Sequence, residues 1–359
     1  MRMRAEADPA LAWHALAQDP PRAWGAPPAA GEIRTEAADF VVDEQLGFEP
    51  DGGESHRLLQ VEKVGANTLF VARALAVRAG RPPADIGFAG QKDRRALARQ
   101  WFSVPATRDT ASFVGYTGEG FRVLSEHPHS RKLRRGALAG NHFRIRVRGL
   151  KGDRGAVTGR IAQLAANGLP NYFGAQRFGR EGANLRRVRQ WLDTGRLQRG
   201  REQRAFVLSS ARALAFNAVL AARVRGNTWN RLLPGEVINL TGSQSVFAAE
   251  HPDDGLRRRL EEGDLSPTGP MCGAGGVLPG GEAGRVEAAA LEAVAPLPAL
   301  LSAVGLRGER RALILRPAAL RHDFEGDALI LEFDLPRGSF ATSVLRELVD
   351  ARAPEADTD

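Results

Sequence analysis

Two stretches of strict alternation, far apart in the chain, constrain the fold most. From Asn141 to Arg148, Phe143, Ile145 and Val147 face one way and Arg144, Arg146 and Arg148 the other. That is a strand with one face in a core and a basic face outward. Alternation returns after Pro317, where Leu329, Leu331, Phe333 and Leu335 share a face. Between them the periodicity is helical, around Leu185–Leu192, Ser210–Val224 and Val286–Val304. The order strands, helices, strands predicts an α/β (mixed α+β) fold. A helical insertion interrupts the first domain, and the last segment completes it.

Local signals fill in the outline. Residues 1–31 read as an irregular leader with one short helix near Leu11–Leu16. A strand is expected over Arg57–Val64. Asn67-Thr68 caps a helix carrying Leu69, Val71, Leu75 and Val77, which Gly80 and Pro82-Pro83 end. Asp153 opens a helix with Val157, Ile161 and Leu164, closed by Gly168 and Pro170. Ser339 begins another, bearing Val344, Leu345 and Leu348. Gly263–Gly284 holds eight Gly and three Pro, and is expected to be a flexible or functional loop. Its Cys272-Gly-Ala-Gly-Gly run is a weak nucleotide-loop signal, because no strand is expected before it.

Composition limits the partners. The 359 residues carry a formal net charge of +8, and the isoelectric point is about 10.5. Such a balance favours polyanions, nucleic acid first and anionic membrane second. Cys272 is the only cysteine, so no intramolecular disulfide and no cysteine-based zinc site can form. Met1–Ala30 has no continuous apolar core and reads neither as a signal peptide nor as a membrane span. No amphipathic helix with a dense basic face supports membrane-surface binding.

Arginine dominates the basic residues. Of 50 Lys and Arg only four are lysine: Lys63, Lys92, Lys132 and Lys151. A lysine kept in such a chain suggests that a compact ammonium is needed there. Lys151, before a glycine, reads as a solvated loop residue. Lys92 stands beside Asp93 between two apolar segments, on a tight loop between expected strands. Catalytic groups tend to sit on such loops, and Asp93 is a candidate nucleophile or general base.

Arg131, Lys132, Arg134, Arg135, Arg144, Arg146 and Arg148 fall within residues 129–148 without one Asp or Glu, and form a candidate phosphate track. Asn171-Tyr-Phe-Gly-Ala-Gln-Arg-Phe-Gly-Arg180 mixes rings, glycine and Gln176-Arg177 in a way that suits unpaired bases. His127-Pro-His129 has no third ligand nearby and reads as a surface turn.

Seven segments, in order, resemble the TruD family of transfer-RNA pseudouridine synthases. They are Asp39-Phe-Val-Val-Asp-Glu44, Lys63-Val-Gly-Ala-Asn-Thr68, Phe88-Ala-Gly-Gln-Lys-Asp93, Arg131-Lys-Leu-Arg134 through Gly140-Asn141, Asn171 through Gly179, Leu208-Ser-Ser-Ala-Arg212 with Phe216-Asn217, and Leu335 through Val344. The resemblance implies a pseudouridine synthase catalytic domain with a mixed, largely antiparallel sheet over residues 1–167 and 316–359. A helix-rich family-specific insertion would span 168–315. It also implies isomerisation of uridine 13 in transfer RNA, with no cofactor and no metal, by a cytoplasmic monomer that needs no membrane.

The essential aspartate falls on Asp93, and substrate contacts fall on Phe40, Asn141 and Phe340. Lys92 or Arg34 is expected to pair with Asp93, and His56 joins the substrate-binding candidates. Arg131, Lys132, Arg134, Arg144, Arg146, Gln176 and Arg177 are the expected RNA contacts. The sequence departs from the family at Ala37-Ala38-Asp39 and over Gly263–Gly284. A non-catalytic RNA-binding protein on the same scaffold is the rival reading, and Asp93 with its neighbours argues against it.

Overall fold

The alternating segment at 141–148 lies inside a strand that runs from Leu138 to Gly152, in a computed structural model describing residues 9–106 and 111–353. The chain starts with α1 (Pro9–Gln18), β1 (Ala29–Glu32), β2 (Phe40–Leu46) and β3 (His56–Lys63). Next come α2 (Thr68–Ala79), β4 (Gly87–Phe88), β5 (Leu97–Pro105), β6 (Thr117–Gly118), β7 (Phe121–His129) and β8 (Leu138–Gly152). The middle holds α3 (Arg154–Asn167), β9 (Leu169–Pro170), α4 (Ala183–Thr194), α5 (Arg201–Arg225), β10 (Glu236–Leu240), β11 (Val246–Ala249), α6 (Asp254–Glu261) and β12 (Leu265–Met271). α7 (Gly281–Glu292), α8 (Leu297–Ala303), β13 (Glu309–Ala312) and β14 (Ile314–Leu315) follow. β15 (Ala318–Glu325), β16 (Ala328–Pro336), α9 (Ala341–Leu348) and β17 (Val349–Arg352) close the chain.

Two compact units result. One contains Pro28–Ile161, Pro317–Ala341 and the residues from Leu348. The other contains the residues up to Pro27, Ala162–Arg316 and Thr342–Glu347. The sequence-based division at 168 and 315 differs from this at the N-terminal segment, at 162–167, at 316 and at 342–347, which group with the helical unit.

The first unit is built on an eleven-stranded mixed sheet. Its main path runs β15-β16-β8-β2-β5-β3-β7-β6, with β1, β17 and β4 at its sides. β2 pairs in parallel with β5 and β1 with β17; the other pairs are antiparallel. Leu329, Leu331, Phe333 and Leu335 stand opposite Val147, Ile145, Phe143 and Asn141. The two alternating stretches of the sequence are thus direct neighbours, and their apolar faces coincide because side chains alternate with period two.

On that same face α2 covers the β3–β5–β7 end. Val71, Ala72, Leu75 and Ala76 pack with Leu59, Val61, Phe102 and Val123. Each large side chain buried there contributes about 1.5–3 kcal/mol. Asn67 caps α2 by accepting from Phe70 N–H at 2.8 Å, and Gly80 ends it at φ 61°. The apolar stripe is rotated from the expected one, since Leu69 is exposed and Val77 is 83% exposed.

The opposite face carries a charge ladder. Arg144 pairs with Glu332, Arg146 with Glu325, and Arg99 with both Asp43 and Glu62. His127 and His129 belong to β7, not to a surface turn. His129 is buried, stacked on Phe48 and 3.0 Å from Asp51.

In the helical unit α5 is the core helix. It is long and apolar enough to cross a membrane, but 72% of its apolar window is buried inside the protein. Strands that the sequence does not advertise pack around it, in a four-stranded sheet ordered β11-β10-β12-β13. β12 occupies the stretch expected to be a loop: Leu265 to Pro270 are all buried, and the prolines stand opposite Ile238 and Arg310. The glycines after it serve close backbone approach. A Cβ on Gly273 would lie 2.5 Å from Leu306 O, and one on Gly276 2.8 Å from Gly308 O.

Candidate active site

Asp93 lies on the loop between β4 and β5, which form an antiparallel pair. Its carboxylate is held from two directions. Oδ1 accepts from the Arg95 N–H at 3.1 Å, and Oδ2 meets Arg34 Nη2 at 3.0 Å. The Asp93 side chain remains 41% exposed, so the anion faces solvent as well as its partner.

Arg34 reaches it from the turn between β1 and β2. Its backbone is left-handed, at φ 59°, an uncommon state for a residue with a Cβ. Its guanidinium carbon sits 4.3 Å from the centre of the Phe40 ring, and its Nε is buried without a hydrogen-bond partner. Cation–π attraction and the Asp93 charge hold the fork in one place. Phe40 itself is buried, edge-on to Phe143. Its ring supports Arg34 rather than standing open to a base.

Lys92 turns away from its neighbour. Its Nζ lies 2.7 Å from Glu44 Oε2 and donates to Asn141 Oδ1 at 2.5 Å. Glu44 and Asn141 are direct cross-strand partners on β2 and β8 and therefore share a face. Both Glu44 oxygens are buried without a well-aligned hydrogen bond, so the ion pair is close but angularly poor. Burial pushes the Glu44 carboxyl above its ordinary value, and the Lys92 charge only partly opposes this.

The loop is fixed from beneath. Thr68 Oγ1 accepts from the Lys92 N–H at 3.0 Å and donates to Gln100 Oε1 at 2.9 Å. Gln100 Nε2 in turn donates to Gly90 O at 2.6 Å. Asp93, Arg34, Phe40, Lys92, Glu44 and Asn141 thus gather over one face of the sheet. Pro336 stands opposite Gly140, so half-buried Phe340 follows from the strand that leaves the sheet beside Asn141.

Other expected residues lie elsewhere. His56 begins β3 and lines a cavity of about 510 Å³ with His129, Arg131, Lys132 and Arg134. Burial, Lys132 and His129 hold its imidazole below the ordinary value. The other end of β3, near Asp93, is seven residues away, roughly 20 Å of strand. His56 therefore belongs with the basic loop and not with the Asp93 cluster.

Arg144 and Arg146 are paired with glutamates on the face opposite Asn141. Gln176 and Arg177 are in the helical unit. Around them Tyr172, Phe173 and Phe178 are buried, and Asn217 bonds both the N–H and the C=O of Phe173. Those rings fill a core and are not open stacking platforms.

Glu44, Thr68, Gln100 and Lys63 were not singled out from the sequence as site residues. Glu44, Thr68 and Lys63 stand inside the resembling segments, and the scarcity of lysine marks Lys63; Gln100 carries no such signal. Among the described residues no group of three or more metal-ligating side chains is found.

A family model described as tRNA pseudouridine synthase D (TruD) matches residues 21–200 and 200–348. The chain belongs to the TruD family. A tRNA pseudouridine synthase D from Methylococcus capsulatus is 42% identical over 334 residues, covering 92% of this chain and 94% of that protein. One from Azotobacter vinelandii is 44% identical over 333 residues, with 92% and 94% covered. A crystal structure of a putative TruD from Methanosarcina mazei superimposes with a TM-score of 0.68 at 22% identity, over 92% of this chain and 96% of that one. At that identity the likeness shows a shared fold.

Proposed function

We propose that this TruD-family enzyme converts uridine, at position 13 of transfer RNA, to pseudouridine, with Asp93 as its essential carboxylate and with no cofactor or metal. The reaction breaks the C1′–N1 bond, turns the uracil, joins C1′ to C5, releases the C5 proton and takes one proton up at N1, so no atom is gained or lost overall. A carboxylate can serve it by attacking C1′ or C6, or by stabilising charge at C1′.

The observation that carries the reading is the Arg34–Asp93 ion pair at 3.0 Å on an exposed loop. A solvent-exposed anion with a cation beside it to balance charge supports this reading. A uridine held in folded RNA must be turned out of its stack to arrive there. Asn141, already fixed by Lys92, offers an amide N–H₂ to a uracil carbonyl or a nearby backbone group. Phe340 is a second candidate substrate contact beside Asn141, while Phe40 lies under Arg34. Residues 168–315 form the family's insertion. Arg131, Lys132 and Arg134 hold backbone phosphates away from the reacting base, which adds affinity without base readout.

Transfer RNA tritiated at uracil C5 tests the reading directly. Tritium should be released by the parent protein and not by Asp93→Asn, and the pseudouridine formed should map to position 13. A parent protein that binds transfer RNA but releases no tritium would show an RNA-binding protein instead.

A further inference from the structure

Lys63 is almost completely buried at the end of β3, and among the described residues no carboxylate pairs with it directly. Its Nζ donates to three backbone carbonyls: Ala66 O at 2.9 Å, Asp93 O at 2.9 Å and Lys92 O at 3.4 Å. The Lys92 and Asp93 carbonyls belong to the two peptide units that flank the Asp93 Cα. Fixing both leaves the carboxylate only its own side-chain torsions, and Arg95 N–H and Arg34 set those. The Ala66 carbonyl ties the same ammonium to the segment that leads into α2, where Thr68 binds the Lys92 N–H.

Three acceptors converging on one atom suit the three donors of an ammonium. The planar fork of arginine spreads its donors over separate atoms. This accounts for a lysine here in a chain that otherwise writes its cations as arginine.

We propose that Lys63 is a positioning residue for the reaction, its charged amine clamping the backbone on both sides of Asp93 so that the carboxylate points at the substrate. The proposal rests on Asp93 being the essential carboxylate. Small displacements of a reacting group are costly, and a shift of about 1 Å can lower turnover on the order of 10²-fold.

The clamp is also sensitive to pH. Burial lowers the Lys63 amine from 10.5 to about 8; Asp93 favours its charge and Lys92 opposes it. Its cross-strand neighbours, Ala98 and Phe121, carry no charge. Above about pH 8 the neutral amine keeps two N–H donors for three carbonyls. The unfolded chain holds this proton more tightly than the folded one, so between about 8 and 10.5 this group makes the fold more stable as pH rises. A fall of kcat through that window is therefore not explained by unfolding driven by Lys63.

The experiment compares parent, Lys63→Met and Asp93→Asn on transfer RNA across pH 7 to 9. Lysine labelled with ¹³C at Cε is followed by NMR in parallel. With four lysines in the chain the Lys63 resonance is assigned by its loss in Lys63→Met. We expect Lys63→Met to lose about 10²-fold in kcat with KM for transfer RNA within about twofold. The parent's kcat should fall along a limb near pH 8 that tracks the Lys63 resonance and is missing in the variant.

Parental kcat in Lys63→Met beside an inactive Asp93→Asn overturns this proposal alone. So does a flat parental kcat while the resonance titrates. Full activity in Asp93→Asn overturns the catalytic reading, and the clamp's purpose with it. If Lys63→Met does not fold, the parent's kcat limb and its one lysine resonance titrating near pH 8 decide the matter.

Discussion

Arg34 and Asp93 form a 3.0 Å ion pair between two loops that only the sheet brings together, and the same guanidinium carbon sits 4.3 Å from the centre of the Phe40 ring. The cation is anchored twice, once by charge and once by a ring. Arg34→Ala removes both and should lower kcat on the order of 10²- to 10³-fold, the usual effect of deleting one preorganised charge partner. Arg34→Lys keeps a charge but not the planar contact, and should fall between. Single-turnover rates on transfer RNA measure this; equal rates for Arg34→Lys and Arg34→Ala would mean that the charge is not what matters.

Asp93→Asn keeps the shape and the Arg95 N–H contact but removes the negative charge. Turnover should drop by at least about 10³-fold while the dissociation constant for transfer RNA changes less than about threefold. Filter binding and tritium release, run on one preparation, separate the two quantities.

Glu44→Gln leaves the Lys92 ammonium next to a neutral group in a site where the Glu44 side chain has no solvent exposure. Stripping one member from a buried pair costs about 3–5 kcal/mol. The variant should unfold at clearly lower urea concentration, whereas Glu325→Gln, which loosens an exposed pair with Arg146, should shift stability by less than about 1 kcal/mol.

Salt dependence distinguishes the two groups of arginines. Arg131→Ala and Arg134→Ala should each weaken transfer-RNA binding and reduce the slope of log K against log salt by about one. Arg144→Ala and Arg146→Ala should leave the slope unchanged, because Glu332 and Glu325 already hold those charges. A reduced slope in the second pair would place the charge ladder on the RNA path.

Local rules carried far where a local cause decides the outcome. The cap at Asn67, the stop at Gly80 and the alternation at 141–148 and 329–335 all appear as the sequence indicates. They failed where packing overrides propensity. β12 contains Pro267 and Pro270 and reads as a loop, yet it lies between β10 and β13, each using a different half of it. Val77 fits the helical period but points to solvent, because the sheet under α2 meets Val71 and Leu75 instead. Phe40 is buried beneath the Arg34 guanidinium, a contact that no local rule encodes.

By itself the sequence determined the strand–helix–strand order of an interrupted α/β fold, the loop bearing Asp93 and the family, because these depend on periodicity and on residues adjacent in the chain. Tertiary structure alone decided the partnerships: Arg34 with Asp93, Lys92 with Glu44 and Asn141, Lys63 with the carbonyls around Asp93, and Arg144 and Arg146 with glutamates. The physical reason is that a charge finds its partner through strand register and burial, and both arise from long-range pairing that neighbours in sequence do not encode.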